Sequence, residues 1–289
     1  MKPLILLLAS TSLALPALRA DDDLRLALER VYYGWSGAMI HGNLAQWEAH
    51  TAAHRQAATR NFVVSRKERW PDALFALPFR MPEIATLNHL ATFRNGDTAN
   101  VIYFGKVDFG VGEGHVPSNL LMLSFVREAG GWKFDLTRFF NLDSEPAVRQ
   151  QAAAGELGFL EDPQFQPSGV VPPVPRLIAG FDHPGEVWIA SAGYETTVTI
   201  GDLHETTVTD NVVTSVVIGG LSRSGLPVTV HAKERPVPPG EKRFLAVEIY
   251  ALRPEQPACK VWQFRPEPDA DLSAPHVSKV YANAVTMRD

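Results

Sequence analysis

His50 and His54 lie four residues apart with Glu48 just ahead of them, the sharpest chemistry-bearing pattern in this chain. On a continuous helix that spacing sets both imidazoles on one side, as a metal-binding pair requires. A third ligand must come from elsewhere, and His89 is the best candidate; no HExxH signature is present. Two ligands are not a site, so no resident metal and no cofactor is expected, and the pair reads as polar residues lining a cavity. Arg55, Arg60, Arg66, Lys67 and Arg69 form a basic run interrupted by Glu68, which reads as a solvated face. Gly220-Leu221-Ser222-Arg223-Ser224-Gly225 is close in letters to a nucleophile elbow but falls between two strand patterns, which makes it a turn. Gly110 to Gly114 likewise joins strands and lacks the helix a phosphate loop needs. Asp182, Asp202 and Asp210 stand at strand-edge turns and offer oxygens to calcium, without a local ligand pattern. Cys259 sits in the apolar run Ala258-Cys259-Lys260-Val261-Trp262 and reads as a packing residue.

The elements that must position these groups change character along the chain. Leu24, Ala27, Leu28, Val31, Tyr32, Trp35, Ala38 and Met39 recur at three and four residues, so a helix capped by Asp23 is predicted there. Asn43 and Gln46 are spaced as a capping box for a second helix carrying Leu44, Trp47, Thr51 and His54 on one side. A third helix from about Arg55 should end near Trp70, before Pro71. From Glu83 the period becomes two. Segments 84–93 and 98–109 flank Asn95-Gly96, a strong hairpin signal, and strands 119–128 and 132–142 follow around Gly130-Gly131. Helices followed by a four-stranded antiparallel meander predict an α+β fold with helices on one face of a curved sheet. Ser144-Glu145-Pro146 should open a short helix towards Gly155.

Residues 162–176 carry five prolines and no periodic pattern, and read as a semi-rigid linker. Beyond it, eight short Val-, Thr- and Ile-rich segments (186–190, 195–200, 204–209, 212–218, 227–233, 243–252, 259–264 and 277–285) predict an all-β sandwich. The expected organisation is a leader at 1–20, an α+β domain at 21–161, the linker at 162–176 and the sandwich at 177–289.

Lys2 followed by the apolar run Leu4 to Leu15 and by Ala17-Leu18-Arg19-Ala20 reads as a secretory signal cleaved after Ala20, so a periplasmic or secreted protein is expected. The apolar run is shorter than the ~20 residues of a spanning helix, and no membrane anchor is expected. With 27 basic against 32 acidic residues the net charge is −5, which speaks against nucleic acid or an anionic membrane surface as the main partner. A single cysteine allows no internal disulfide, so stability must come from packed cores.

The Tyr32-Tyr33-Gly34-Trp35 helix, the Asn43-Leu44-Ala45-Gln46-Trp47-Glu48 helix and the meander closing with Gly131-Trp132-Lys133-Phe134-Asp135 resemble the nuclear transport factor 2-like superfamily, which includes SnoaL-like proteins of cystatin-like shape. The resemblance covers about residues 21–142 and implies a cone of helices packed inside a curved sheet around a pocket. Catalytic members often use a Tyr on the first helix with a His or Asp deeper in the pocket. Here Tyr32, Tyr33, His54, His89, Tyr103, Asp135 and Arg138 would supply such groups for proton abstraction beside a carbonyl or for dehydration. Many members have no catalysis, and the fold does not choose. No catalytic pair is fixed by spacing, so the expectation is binding of a small molecule or protein partner, with Tyr32, Trp35, Trp47, His54, His89, Tyr103 and Arg138 lining a partly open pocket. An isomerase, dehydratase or cyclase is the alternative, and the sheet face offers a surface for homo-oligomerisation. The second half resembles no family firmly.

Overall fold

The computed structural model describes residues 15–76, 78–111, 116–238, 240, 242–267 and 270–283. Most of the leader, the middle of the 110–118 loop and the end of the last expected strand lie outside them. The fold is mixed α and β with antiparallel sheets, and the described chain groups into two compact units, residues 15–55 with 78–172 and residues 56–76 with 173–283. Among the described residues no helix is long and apolar enough to cross a membrane.

In the first unit, helix α1 (Leu15–His41) begins before Asp23, which therefore sits inside it rather than at its cap. Leu28 and Tyr32 are fully buried from its inner stripe, with Leu24, Val31 and Trp35 packed beside them. Helix α2 (Leu44–His50) is capped as its sequence predicts, Asn43 accepting the Gln46 amide at 3.1 Å. It stops at Thr51, which is extended and bridges Phe134, while the Ala52 amide donates to the Phe134 carbonyl at 2.8 Å. Helix α3 (Ala53–Ser65) then starts afresh, residues 53–55 counting with the first unit and 56–65 with the second, and it ends before Trp70 because Lys67 turns into the left-handed region.

Strands β1 (Asn88–Asn95), β2 (Thr98–Lys106), β3 (Ser118–Glu128) and β4 (Gly131–Phe140) form the expected meander in the order β1-β2-β3-β4. Gly96 takes the positive φ that the tight β1–β2 turn demands. Each face of the sheet carries a buried cluster. Val101, Tyr103, Leu121, Leu123, Phe125 and Phe134 meet α1 on the inner face. Ile102, Phe104, Leu120 and Met122 meet Ala152, Leu160 and Phe165 on the outer face. Ala152 comes from helix α4 (Pro146–Ala154), closed by Gly155 in the left-handed region, as its sequence suggests. The proline-rich stretch is no free spacer at its start. Asp162 caps a 3-10 turn at Pro163–Phe165, and Asn100 donates to the Phe165 carbonyl at 3.0 Å, fixing that buried ring on the sheet.

In the second unit the eight expected strand segments become six strands of one curled sheet. Strand β5 (Gly185–Ile200) pairs along its length with β6 (His204–Val216). Its other edge pairs with β8 (Phe244–Arg253) over residues 185–192 and with β7 (Leu226–Glu234) over 194–200. Strands β9 (Gln256–Phe264) and β10 (His276–Val280) extend the two wings from β8 and β7. The corner is a bulge at which Ala192, Gly193 and Tyr194 face Asp210 alone, with Gly193 and Asp210 both at positive φ and the Gly193 amide donating to the Asp210 carboxylate at 2.6 Å. Residues that read as chain turns therefore bend two continuous strands. Val187, Ile189, Val198, Ile200, Val228, Val230, Val247 and Ile249 point into the resulting concavity and form its core.

Candidate functional site

The inner face of the meander is filled. Tyr32 is fully buried and its hydroxyl donates to the Pro82 carbonyl at 2.7 Å. Tyr103, also buried, donates to Glu29 at 2.8 Å. Burial first, then Glu83 beside Tyr32 and the Glu29 hydrogen bond on Tyr103, push both phenols well above their ordinary value, so neither is poised to give up a proton. The Trp35 ring lies 4.1 Å from Phe134, and Phe134 also packs against Tyr32 and Phe125 at 5.7 and 5.8 Å. Trp47 is 2% exposed. Tyr32 and Trp35 are also in ring contact at 5.8 Å, so these side chains pack as one aromatic cluster between α1 and the sheet.

Of the seven expected lining residues, Tyr32 meets Trp35 and His89 meets Tyr103, while Arg138 lies on the opposite face of the sheet. His89 is exposed on β1, with Nε2 2.9 Å from Thr92 Oγ1 and its ring edge towards Tyr103, its register partner. Arg138 pairs in register with Met122 and belongs to the outer face. The break at Thr51 separates His50 from His54, so the metal-type pair is not formed. His50 lies against Gly34, where a Cβ would meet its ring at 2.4 Å. Among the described residues no group of three or more His, Cys, Asp or Glu is placed to hold a metal.

His54 instead meets Asp135, the extra residue of a bulge where β4 slips against β3 between Ser124 and Phe125. Its Nε2 is 2.8 Å from Asp135 Oδ1, and Arg55 donates to the same oxygen from Nε at 3.0 Å and approaches it with Nη2 at 2.9 Å. Burial alone would raise the Asp135 carboxyl; the His54 hydrogen bond and the Arg55 charge outweigh it and hold the group below the ordinary carboxylate range. A carboxylate there makes Nε2 the protonated, donating nitrogen. His54 Nδ1 is sealed from solvent without a hydrogen-bond partner among the described residues.

Among the described residues, open concavities occur in both units. One of about 400 Å³ in the first unit runs along α1 and is lined by Asp23, Leu26, Glu29, Arg30 and Tyr33. A groove of about 130 Å³ on the outer face of the meander is lined by Asn100, Ser124, Asp135, Arg138 and the 164–172 segment. A larger pocket of about 460 Å³ in the second unit has an apolar lining of Ile178, Phe181, Ile200, Ile218 and Leu226. At its rim Arg176 grips both oxygens of Asp202 at 2.8 and 2.7 Å, and Asp182 accepts the Arg223 amide at 2.8 Å. Asp182 and Asp202, two of the strand-edge turn residues whose oxygens lack a calcium-ligand pattern in the sequence, both line this pocket. Asp210 stands apart at the β5–β6 corner beside Arg235.

One wall of this pocket is held by polar side chains that sequence patterning missed. Asn61, 2% exposed on α3, donates to the Arg176 carbonyl at 2.9 Å and accepts the Ile178 amide at 3.0 Å. Ser65, fully buried, accepts the Gly219 amide at 2.9 Å. Gly220 sits so close to Phe181 that a Cβ would lie 2.3 Å from the ring. Gly220 opens the 220–225 segment that the sequence reads as a turn. No family model, curated protein or solved structure matches this chain.

Proposed function

We propose that this is an exported, non-catalytic binding protein that takes a small amphipathic molecule in the pocket of its second unit. The observation that carries the reading is a contrast. The inner face of the first unit, where catalysis would sit in a nuclear transport factor 2-like cone, is packed with aromatic rings and its two buried phenols are engaged. The second-unit pocket is open, and about 460 Å³ falls within the ~300–1,000 Å³ of small-molecule sites. An apolar body would lie on Ile178, Ile200, Ile218 and Leu226, and a polar end would reach the Arg176–Asp202 pair or Asp182. Acid–base turnover in the cone, as in an isomerase, dehydratase or cyclase, would draw on the His54–Asp135 pair, but the remaining nitrogen of that imidazole has no route to a substrate.

The test is titration with the neutral fluorophore N-phenyl-1-naphthylamine, comparing the natural chain with Gly180→Trp and Ala179→Trp. Both positions line the pocket, and a Cβ at Gly180 meets nothing within 4 Å, so that ring enters without a clash at its root. The reading expects saturable fluorescence enhancement that one or both variants abolish. Equal enhancement in all three proteins would count against it.

A further inference from the structure

We propose that the outer-face groove of the first unit is a second site, one that binds a small oxyanion through Arg138. The outer face changes chemistry along its length. At one end Phe104, Leu120 and Phe140 are packed under Leu160, Phe165 and Ala152. At the other the register sets Asn100 opposite Ser124, and Met122 opposite Arg138, so the same face turns polar. The 3-10 turn at Pro163–Phe165 and the chain after it lie alongside that polar end, and together they enclose about 130 Å³ lined by Thr98, Asn100, Ser124, Arg138, Gln164 and Gln166 among others. That space suits a carboxylate or phosphate group rather than a larger organic molecule.

The charge arrangement sets the sign of the ligand. Arg138 is exposed, and among the described residues its guanidinium has neither an ion pair nor a hydrogen bond, while the hydroxyl of Ser124, which lines the same groove, is also unpartnered. Asp135 is the acid of the groove, and its carboxylate is answered by Arg55 and His54. The Asn100 and Gln166 side-chain amides are spent on the Phe165 and Leu160 carbonyls, which holds the 164–172 segment in place. The uncompensated charge facing the groove is therefore the Arg138 cation. A guanidinium offers a planar fork of donors matched to the paired oxygens of a carboxylate or phosphate, and Ser124 adds a neutral donor.

Calorimetric titration of the full chain with inorganic phosphate and, separately, with sodium acetate tests this, against sodium chloride at matched ionic strength. We expect one of the two anions to bind with 1:1 stoichiometry, phosphate pointing to a phosphorylated ligand and acetate to a carboxylic acid. Arg138→Gln should weaken it about tenfold or more, Arg138→Lys less, and Ser124→Ala by about threefold, as loss of a charge-assisted and of a neutral hydrogen bond would. Arg138 is exposed, so its variants should keep the far-ultraviolet circular dichroism of the natural chain. Binding of neither anion up to about 50 mM, weaker than any useful site, would overturn the proposal. So would equal affinity in Arg138→Gln.

Discussion

Replacing Asp135 by Ala should remove the anchor that ties the start of α3 to β4, and the cost can be worked from its contacts. The Asp135 side chain is 12% exposed and His54 only 7%, with Nε2 and Oδ1 2.8 Å apart. Losing that acceptor leaves a buried imidazole whose other nitrogen already lacks a partner. A hydrogen bond to a charged group contributes about 1.5–3 kcal/mol, and stranding its buried partner sets the upper part of that range. Arg55 is 36% exposed, so solvent screening limits its share to below about 1 kcal/mol. The expected loss is therefore about 2–4 kcal/mol at pH 7 for Asp135→Ala, and about half of that for Asp135→Asn, which retains one acceptor oxygen. The pH dependence has a definite sign. The folded carboxyl titrates below its ordinary 3.8, so its contribution is complete above that value and is lost as the pH falls through the folded value. Urea denaturation at a series of pH values, with hydrogen exchange of the β4 amides to localise the effect, should show the penalty shrinking only below about pH 4. A penalty under about 0.5 kcal/mol at pH 7 would refute the reasoning. A penalty that stays constant down to about pH 2 would refute the electrostatic part of it.

Three further outcomes follow from packing. Tyr32→Phe strands the Pro82 carbonyl inside the core and should cost about 1–2 kcal/mol in denaturant without altering fluorophore binding. Phe165→Ala should cost about 3–5 kcal/mol and expose residues 163–172 to limited proteolysis, whereas a mere linker would tolerate it. Gly220→Ala adds a Cβ 2.3 Å from Phe181 at a φ of +62°, and should lower both the melting temperature and fluorophore affinity, read by thermal denaturation and titration.

What could be read in the sequence was local and periodic. The Asn43 cap, the Asn95-Gly96 turn, the β1–β4 meander and the Gly155 stop all depend on neighbours in the chain, and the structure places them as expected. The misreadings arise where a distant partner decides. Nothing local announces that Thr51 will pair with Phe134, 83 residues on, and so split the helix meant to carry His50 and His54 together. Gly193 and Asp210 have the composition of turn residues, and only their mutual hydrogen bond makes them the corner of two long strands. Tyr32, Trp47 and Tyr103 have side chains able to line a site, yet burial places them in the core. The second-unit pocket is not legible in the sequence for the same reason. Its walls come from Arg176 after the prolines, from Asp202 and from Gly219-Gly220, and it is tied together by Asn61 and Ser65, which look unremarkable in a helix.

Methyl-resolved nuclear magnetic resonance during titration with N-phenyl-1-naphthylamine tests most directly where a small molecule binds. The account predicts that Ile178, Ile200, Ile218 and Leu226, which line the second-unit pocket, shift together and saturate, while Leu28, Ile84, Leu121 and Leu123 on the filled inner face of the first unit stay still. Saturable shifts confined to Leu28, Ile84, Leu121 and Leu123 would contradict it and place the binding site on the inner face of the first unit's sheet.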